Sequence, residues 1–498
     1  MMSTFQGPIL SQQSLKNLPA QVHRPAYDRA QIQTGIVHLG LGAFHRAHQA
    51  FYTEQVLAAG DHRWGIAGAS LRAADTRDAL TPQDGLYTVA VRDTDHTDFH
   101  VIGALTDMFV APENPAALIA ALAQESVKIV SLTVTEKGYC HDPASGTLNE
   151  SHPDIIHDLA HPDKPRSVVG LMVAALIERR RQGLAPFTVL TCDNLPANGH
   201  TVRRVMEQFT QLAHKDLAHF IAQEVAFPST MVDRIVPATT DDDRLWVAEA
   251  LGVMDRWPIM TEPFTQWVIE DHFPQGRPDW GAFGAELVRD VLPYETMKLR
   301  LLNGSHSTLA YLGYLSGYET VADAMADPHL AALIDNLMVH DVTPVLTLPQ
   351  GADVAAYRRS LLNRFRNRSL RHRTWQIAMD GSQKLPQRLL STIRERLAVH
   401  APIDRLALAV AGWMRYVTGV DELGQPIDVR DPLAADLRRR TDQAGMQAQA
   451  LVPALLGVEA IFGKDLPHQP VFVEAVTRAL DQLIRHGAKA TVASFPRG

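Results

Sequence analysis

Four short apolar runs, separated by helical stretches, constrain this chain more than any other feature of it. Gly35-Ile36-Val37-His38-Leu39-Gly40, Trp64 to Leu71, Lys128 to Thr135 and Phe187 to Cys192 each read as a buried strand. A helix opens at Gly40-Leu41-Gly42-Ala43-Phe44-His45-Arg46-Ala47-His48 and runs to about Ala59. Further helical patterns lie at about 114–125 and 166–183. Strands that are apolar on both faces and alternate with helices predict an α/β fold, a doubly wound parallel sheet covered on both sides. From Pro293 onward the character changes. Helical periodicity dominates 294–340, 353–367, 384–398, 403–418 and 469–486, so the second half is expected to be mainly α-helical. Residues 1–30 read as a polar arm with Pro19, Arg24 and Pro25.

A chain of 498 residues is too long for one ordinary core. Two domains are expected, 1–290 and 291–498. The net charge of −8 argues against nucleic acid as a partner. No apolar run approaches the roughly 18 residues of a membrane span, and Met1 to Lys16 lacks the basic start and apolar block of a signal peptide. Cys140 and Cys192 are the only cysteines, which fits a reducing cytoplasm better than a disulfide framework. The chain has neither His-Glu-x-x-His nor Cys-x-x-Cys, so no zinc motif supports a metal site.

Gly40-x-Gly42 follows a strand and opens a helix, as the turn of a dinucleotide site does. Glycines there let the backbone approach a pyrophosphate, and the N–H groups of the helix start face it. Gly40, Gly42, Ala43 and Phe44 are therefore candidate cofactor contacts. His45 stands where the usual third glycine would be, and a plain strand-to-helix turn is the alternative reading. After the second strand comes Leu71-Arg72-Ala73-Ala74-Asp75. An acid there accepts from ribose hydroxyls and repels a 2′-phosphate, so Asp75 favours NAD over NADP. Arg72 argues the other way, and a solvated loop carboxylate is the ordinary alternative for Asp75.

The second half opens with Tyr294-Glu295-Thr296-Met297-Lys298-Leu299-Arg300-Leu301-Leu302-Asn303-Gly304-Ser305-His306, with Pro293 where a helix takes its first residue. At about 100° per residue, Asn303 falls roughly 140° and His306 roughly 80° around the axis from Lys298. One arc thus presents an amine, an amide and an imidazole among Met297, Leu299, Leu301 and Leu302. Burial turns a lysine toward general-base chemistry. A solvent-directed lysine and satisfied core polars are the ordinary alternatives. Asn194 follows the fourth strand, where doubly wound sheets place their chemistry. Asp233, in Met231-Val232-Asp233-Arg234-Ile235, has a simple ion pair with its neighbour as its alternative reading.

These segments, with Thr133-Val-Thr-Glu-Lys-Gly-Tyr139, Thr191-Cys-Asp-Asn194 and Glu262-Pro-Phe-Thr-Gln-Trp267, resemble the polyol-specific long-chain dehydrogenases. That family includes mannitol 2-dehydrogenase, fructuronate reductase (mannonate oxidoreductase) and arabinitol dehydrogenase. The resemblance covers nearly the whole chain. It implies a metal-independent, NAD-dependent enzyme with a Rossmann-type N-terminal domain, a helical C-terminal domain and an active site between them. It implies Lys298 as general acid/base, Asn194 and Asn303 polarising the reacting oxygen, and His306 orienting the substrate. Asp233 and Lys384 would hold substrate hydroxyls or a carboxylate, and Glu295 would relay the proton. A sugar acid or polyol is the implied small-molecule partner, and a monomer the implied assembly.

The branch is decided, if anywhere, in Leu370 to Arg388, which looks like the fructuronate reductase branch. Gln376 aligns with an arginine of mannitol 2-dehydrogenases. Arg371, Arg373, Lys384 and Arg388 form a basic set that could meet a uronate carboxylate, with a solvated helix face as the alternative. Ser70 to Asp75 looks closer to the mannitol dehydrogenase version of the cofactor loop. D-fructuronate reduction is the leading expectation. A mannitol, arabinitol or other polyol dehydrogenase is the runner-up, and a non-catalytic nucleotide or sugar sensor the rival from another class.

Overall fold

The computed structural model describes residues 5, 7–142, 146–213 and 215–495. It divides into two compact units, Met1–Leu292 and Pro293–Gly498.

In the first unit the four predicted strands are β1 (Thr34–Leu39), β2 (Gly65–Ser70), β6 (Ile129–Leu132) and β7 (Thr188–Thr191). Between them in sequence lie β3 (Tyr87–Arg92), β4 (Thr97–Ile102) and β5 (Leu105–Val110). Five strands form one sheet in the order β5-β2-β1-β6-β7, with every pair parallel. Side-chain alternation covers both faces. Val37, Leu39, Ala67, Ala69, Val130, Leu132 and Val189 pack into one core with helices Pro115–Leu122 and Val168–Arg181. Ile36, Ile66, Ile129 and Leu190 enter the opposite core with helix Gln49–Ala58. This is a doubly wound, Rossmann-type sheet. The chain fills β1, β2 and β5 on one side, then returns to add β6 and β7 on the other. The order therefore reverses beside β1, which opens a crevice at the carboxyl ends of β1 and β6.

Several elements escape the apolar-run criterion. β5 is an edge strand whose centre is polar and partly exposed. β3 and β4 form an antiparallel hairpin, and β9 (Ile259–Thr261) lies parallel to β3. β8 (Thr230–Asp233), β10 (Gln266–Glu270) and β11 (Glu286–Val288) make a third small sheet. β9 and β11 have only three residues each, too few to show a period. The expected helix to Ala59 is broken at His48, whose ψ of −90° separates Ala43–Ala47 from Gln49–Ala58. The described part of the N-terminal arm docks through its apolar residues, while Gln12, Gln13, Lys16 and Asn17 stay exposed. Leu10, Leu15, Leu18 and Val22 are buried against Leu86, Val101 and Met260. The His23 N–H donates to the Phe99 carbonyl at 2.9 Å.

The second unit is helical. Helix Gly304–Leu315 is buried along its whole length except at Tyr314, its polar residues Ser305, His306, Ser307 and Thr308 included. Gly412, in helix Asp404–Tyr416, admits close packing, since a Cβ there would stand 2.9 Å from Leu312. The single helical run expected over 294–340 ends at Leu315 and restarts at Val321, and the segment carries π-helical turns at Leu299–Asn303 and Leu337–Val342. Among the described residues, no helix is long and apolar enough to cross a membrane.

Candidate active site

A cleft of about 500 Å³ occupies the crevice of the parallel sheet. Gly40 and Gly42 after β1, Ser70 to Ala73 after β2, and Thr133 to Thr135 after β6 form its walls. Gly40 has φ +99°, and a Cβ there would lie 2.1 Å from the Thr133 carbonyl oxygen. Only glycine fits. At Gly42 a Cβ would meet nothing nearer than the Gly40 carbonyl at 3.7 Å, so that side of the turn is bare toward the cleft. Arg72 lines the cleft; Asp75 is exposed at the start of helix Asp75–Leu80. Ala43 and Phe44 begin the helix after Gly42, and the Phe44 ring stacks on His48. A bare glycine turn at the switch point of a parallel sheet fits a dinucleotide pyrophosphate.

Asp193 shapes the same wall and was not singled out from sequence. Its carboxylate accepts from the Val134 N–H at 2.8 Å, the Thr135 N–H at 3.1 Å and the Tyr139 hydroxyl at 2.7 Å. Burial raises the carboxyl above its ordinary range and the Tyr139 hydroxyl far above its own. Thr135 is held at φ +64°, a conformation that needs such anchoring. The signal is an acid two residues past β7, next to Asn194, which stands exposed. Cys140, His152 and Asp154 bring donor atoms within 4.8 Å of one another at the rim of this cleft. Helix Pro153–Ala160 starts there, and Lys137 and Arg166 line the cleft, so the local field favours an anion over a cation. Asp233 is buried at the end of β8. Arg234 donates to the carbonyls of Ala47 and Glu262 and lies over the Phe51 ring.

In the second unit Glu295, Lys298, Asn303 and His306 are all buried. The helix departs from ideal α geometry here. Leu299–Asn303 is a π-helical turn, in which the Gly304 N–H reaches back five residues to the Leu299 carbonyl. Such a turn has more residues than an α-helical one and so brings Asn303 closer to the stripe of Lys298 than an ideal α-helix would. His306, three residues on in α-helix, lies roughly 60° from Asn303, back toward Lys298. A third π turn, Pro386–Leu390, packs alongside, and the Arg388 guanidinium donates to the Asn303 carbonyl at 3.4 Å and the Ser307 hydroxyl at 3.2 Å.

His306 stays neutral. Burial first, then the charges of His372, Arg364, Arg388 and Lys298, push its pKa well below the usual histidine value. Its Nε2 is buried without a hydrogen-bond partner, and its ring meets His372 edge-on at 5.3 Å. Burial, with Lys384 adding to it, lowers His372 to about 4. The Lys384 amine donates to the carbonyls of Ile377 and Met379. Arg373 is more than half exposed, 3.7 Å from Glu319, and Arg371 is exposed with φ +45°. The structure thus gathers Lys298, Asn303, His306 and Arg388, and leaves Arg371 and Arg373 on the surface.

Residues 34–282 match the Rossmann domain model of mannitol dehydrogenase, and residues 290–484 its C-terminal domain model. The chain belongs to the mannitol dehydrogenase family. It is an oxidoreductase of that family, similar over its full length to several members. It is 49% identical to the D-mannonate oxidoreductase of Escherichia coli, over 96% of this chain and 99% of the relative. It is also 49% identical to an uncharacterized E. coli oxidoreductase, YeiQ, over 95% of this chain and 96% of that one. Among solved structures, the Pseudomonas fluorescens mannitol 2-dehydrogenase in ternary complex with NAD and D-mannitol superposes with a TM-score of 0.90 at 41% identity, covering 97% of this chain and 98% of that chain.

Proposed function

We propose that this mannitol dehydrogenase family member is an NAD-dependent D-fructuronate reductase, converting D-fructuronate and D-mannonate reversibly without a metal. The observation that carries the reading is the buried stripe of Lys298, Asn303 and His306, closed off by Arg388. The full-length likeness to a D-mannonate oxidoreductase points the same chemistry at a sugar acid.

NAD supplies the hydride acceptor, and its reduced form the donor. Lys298 gives a proton to the substrate oxygen in reduction and removes it in oxidation. Asn303 and Asn194 donate hydrogen bonds to that oxygen and stabilise the charge that develops on it. His306, held neutral, offers its unpartnered nitrogen to a neighbouring hydroxyl, and Glu295, one turn before Lys298, passes the proton onward. Asp233 and Lys384 hold the remaining hydroxyls, and Arg388 meets the carboxylate, with Arg373 at its outer edge. Gly40, Gly42, Ala43 and Phe44 carry the pyrophosphate, with Arg72 and Asp75 at the adenosine end. The protein works as a cytoplasmic monomer.

The test is NADH oxidation with D-fructuronate against D-fructose, compared as kcat/KM. A buried carboxylate–arginine contact contributes about 1.5–3 kcal/mol, so fructuronate should win by at least tenfold. A preference for fructose would make the chain a mannitol 2-dehydrogenase. That second reading draws on the exposed, Glu319-facing position of Arg373 and on the likeness to the mannitol-bound structure. Asp75→Ala is expected to lower the ratio of kcat/KM for NAD over NADP about five- to tenfold, through loss of a ribose hydrogen bond and of repulsion toward a 2′-phosphate. An unaltered ratio would remove Asp75 from cofactor reading.

A further inference from the structure

Beneath the Gly40–Gly42 turn runs a line of buried polar side chains that the chemistry above does not use. His38, in β1, is fully buried. Its Nδ1 lies 2.8 Å from Ser131 Oγ, and that hydroxyl lies 2.7 Å from the Gln49 side-chain amide. Its Nε2 lies 2.8 Å from Thr133 Oγ1 and 3.2 Å from the Gly40 carbonyl oxygen. Thr133 Oγ1 is itself 2.8 Å from that same carbonyl. The chain of contacts runs from the core to the wall of the cleft, which Gly40 and Thr133 line.

Counting protons fixes its direction. Each hydroxyl carries one proton, a neutral imidazole carries one N–H, and a carbonyl only accepts. Burial keeps His38 neutral, with its pKa pushed down to about 3. If the Gln49 oxygen faces Ser131, Ser131 spends its proton on Gln49 and His38 must be protonated at Nδ1. Nε2 then becomes an acceptor and competes with the Gly40 carbonyl for the single Thr133 proton. The Gln49 NH₂ is also left buried without a partner. With the Gln49 amide turned over, the competition for the Thr133 proton disappears, and the Gln49 carbonyl oxygen rather than its NH₂ is the group left without a partner. Gln49 donates to Ser131, Ser131 donates to Nδ1, Nε2–H donates toward Thr133 and Gly40, and Thr133 donates to Gly40. In this orientation no two lone pairs face each other at hydrogen-bond distance, whereas an unprotonated Nε2 would face the Gly40 carbonyl oxygen at 3.2 Å, and that difference selects it.

The Gly40 carbonyl then receives Thr133, His38 and the Gly42 N–H at 2.6 Å, and is held inward. Released, it would be free to turn its negative end toward the cleft, against an anionic diphosphate. We infer that Gln49, Ser131, His38 and Thr133 form a one-way hydrogen-bond relay that fixes the Gly40 carbonyl, and that His38 and Thr133 are positioning residues that set dinucleotide affinity. The inference rests on the reading of this cleft as the NAD site.

The experiment is an NADH titration of the full-length protein followed by nucleotide fluorescence, with no sugar present. Thr133→Val keeps the shape and removes the proton, and should raise the NADH Kd about tenfold. Thr133→Ser restores the proton and should stay within about threefold of the wild type. At saturating NADH both should keep kcat within about twofold, since the relay touches no reacting atom. His38→Asn should weaken NADH as well, and the double variant His38→Asn/Thr133→Val should be no weaker than the worse single one, because linked residues are not additive. Unchanged binding by Thr133→Val, equal weakening by valine and serine, or additive losses would overturn the relay. If the wild type itself fails to bind NADH, the cofactor reading falls and the inference with it. If it binds NADH and reduces no sugar, only the proposed substrate falls.

Discussion

Replacing Lys298 with alanine is expected to lower kcat by about 10²- to 10⁴-fold, the contribution of a positioned acid–base group, while the NADH Kd stays within about twofold of the wild type. Lys298 is 4% exposed, in a helix flanked by Met297, Leu301 and Leu302, all buried. A lysine in such a place forgoes solvation, which a merely structural cation does not need to do. The π turn brings Asn303 closer to it, and its charge bears on His306. Alanine also opens space in a packed region and lowers stability by an estimated 1–3 kcal/mol. Lys298→Met keeps the volume and removes only the amine, so the pair separates chemistry from packing. Equal collapse of kcat in both, with thermal transitions differing only for alanine, is the expected pattern. Normal turnover in Lys298→Met would remove Lys298 from the mechanism.

The second large effect is expected at Gly40. Gly40→Ala places a Cβ 2.1 Å from the Thr133 carbonyl oxygen at φ +99°. Backbone cannot yield there as a flexible side chain would, so the joined ends of β1 and β6 must move apart. NADH affinity should fall by more than about 100-fold, with a loss of stability on the order of 2–4 kcal/mol. Gly42→Ala is the contrast. Its Cβ meets the Gly40 carbonyl only at 3.7 Å, so the fold should tolerate it with a thermal transition near that of the wild type. Its cost should appear in NADH binding alone, where the methyl occupies the path of the diphosphate. A Gly42→Ala protein that binds NADH normally would show that the diphosphate does not cross that face. A stable, NADH-binding Gly40→Ala protein would contradict the geometry of the turn.

The parallel sheet was legible in sequence because β1, β2, β6 and β7 are buried on both faces. Each strand sends alternate residues, such as Ile36 and Val37, into opposite cores. That demands an apolar run, and apolar runs survive translation into one dimension. The small sheets and the docked arm were not legible. β9 is three residues long, β5 is half solvated, and Leu10, Leu15 and Leu18 are spaced among polar residues. Their burial comes from partners far along the chain, and local pattern does not encode such pairing.

The same division holds in the candidate site. Sequence by itself determined which chemistry is at hand: a glycine turn after a central strand, and an amine, an amide and an imidazole within nine residues of one another in one helical run. Tertiary structure decided how they are aimed. The π turn at Leu299–Asn303 brings Asn303 closer to the stripe of Lys298 than ideal α-helix spacing would. Packing against Pro386–Leu390 accompanies that turn, with Arg388 bonded to the Asn303 carbonyl and Gly304 pressed close to the Arg388 backbone. Likewise Arg373 and Arg388 are equal as residue types, yet one faces solvent and Glu319 while the other bonds inward. Residue identity sets what a side chain can exchange; the long-range packing of the backbone sets the direction in which it does so.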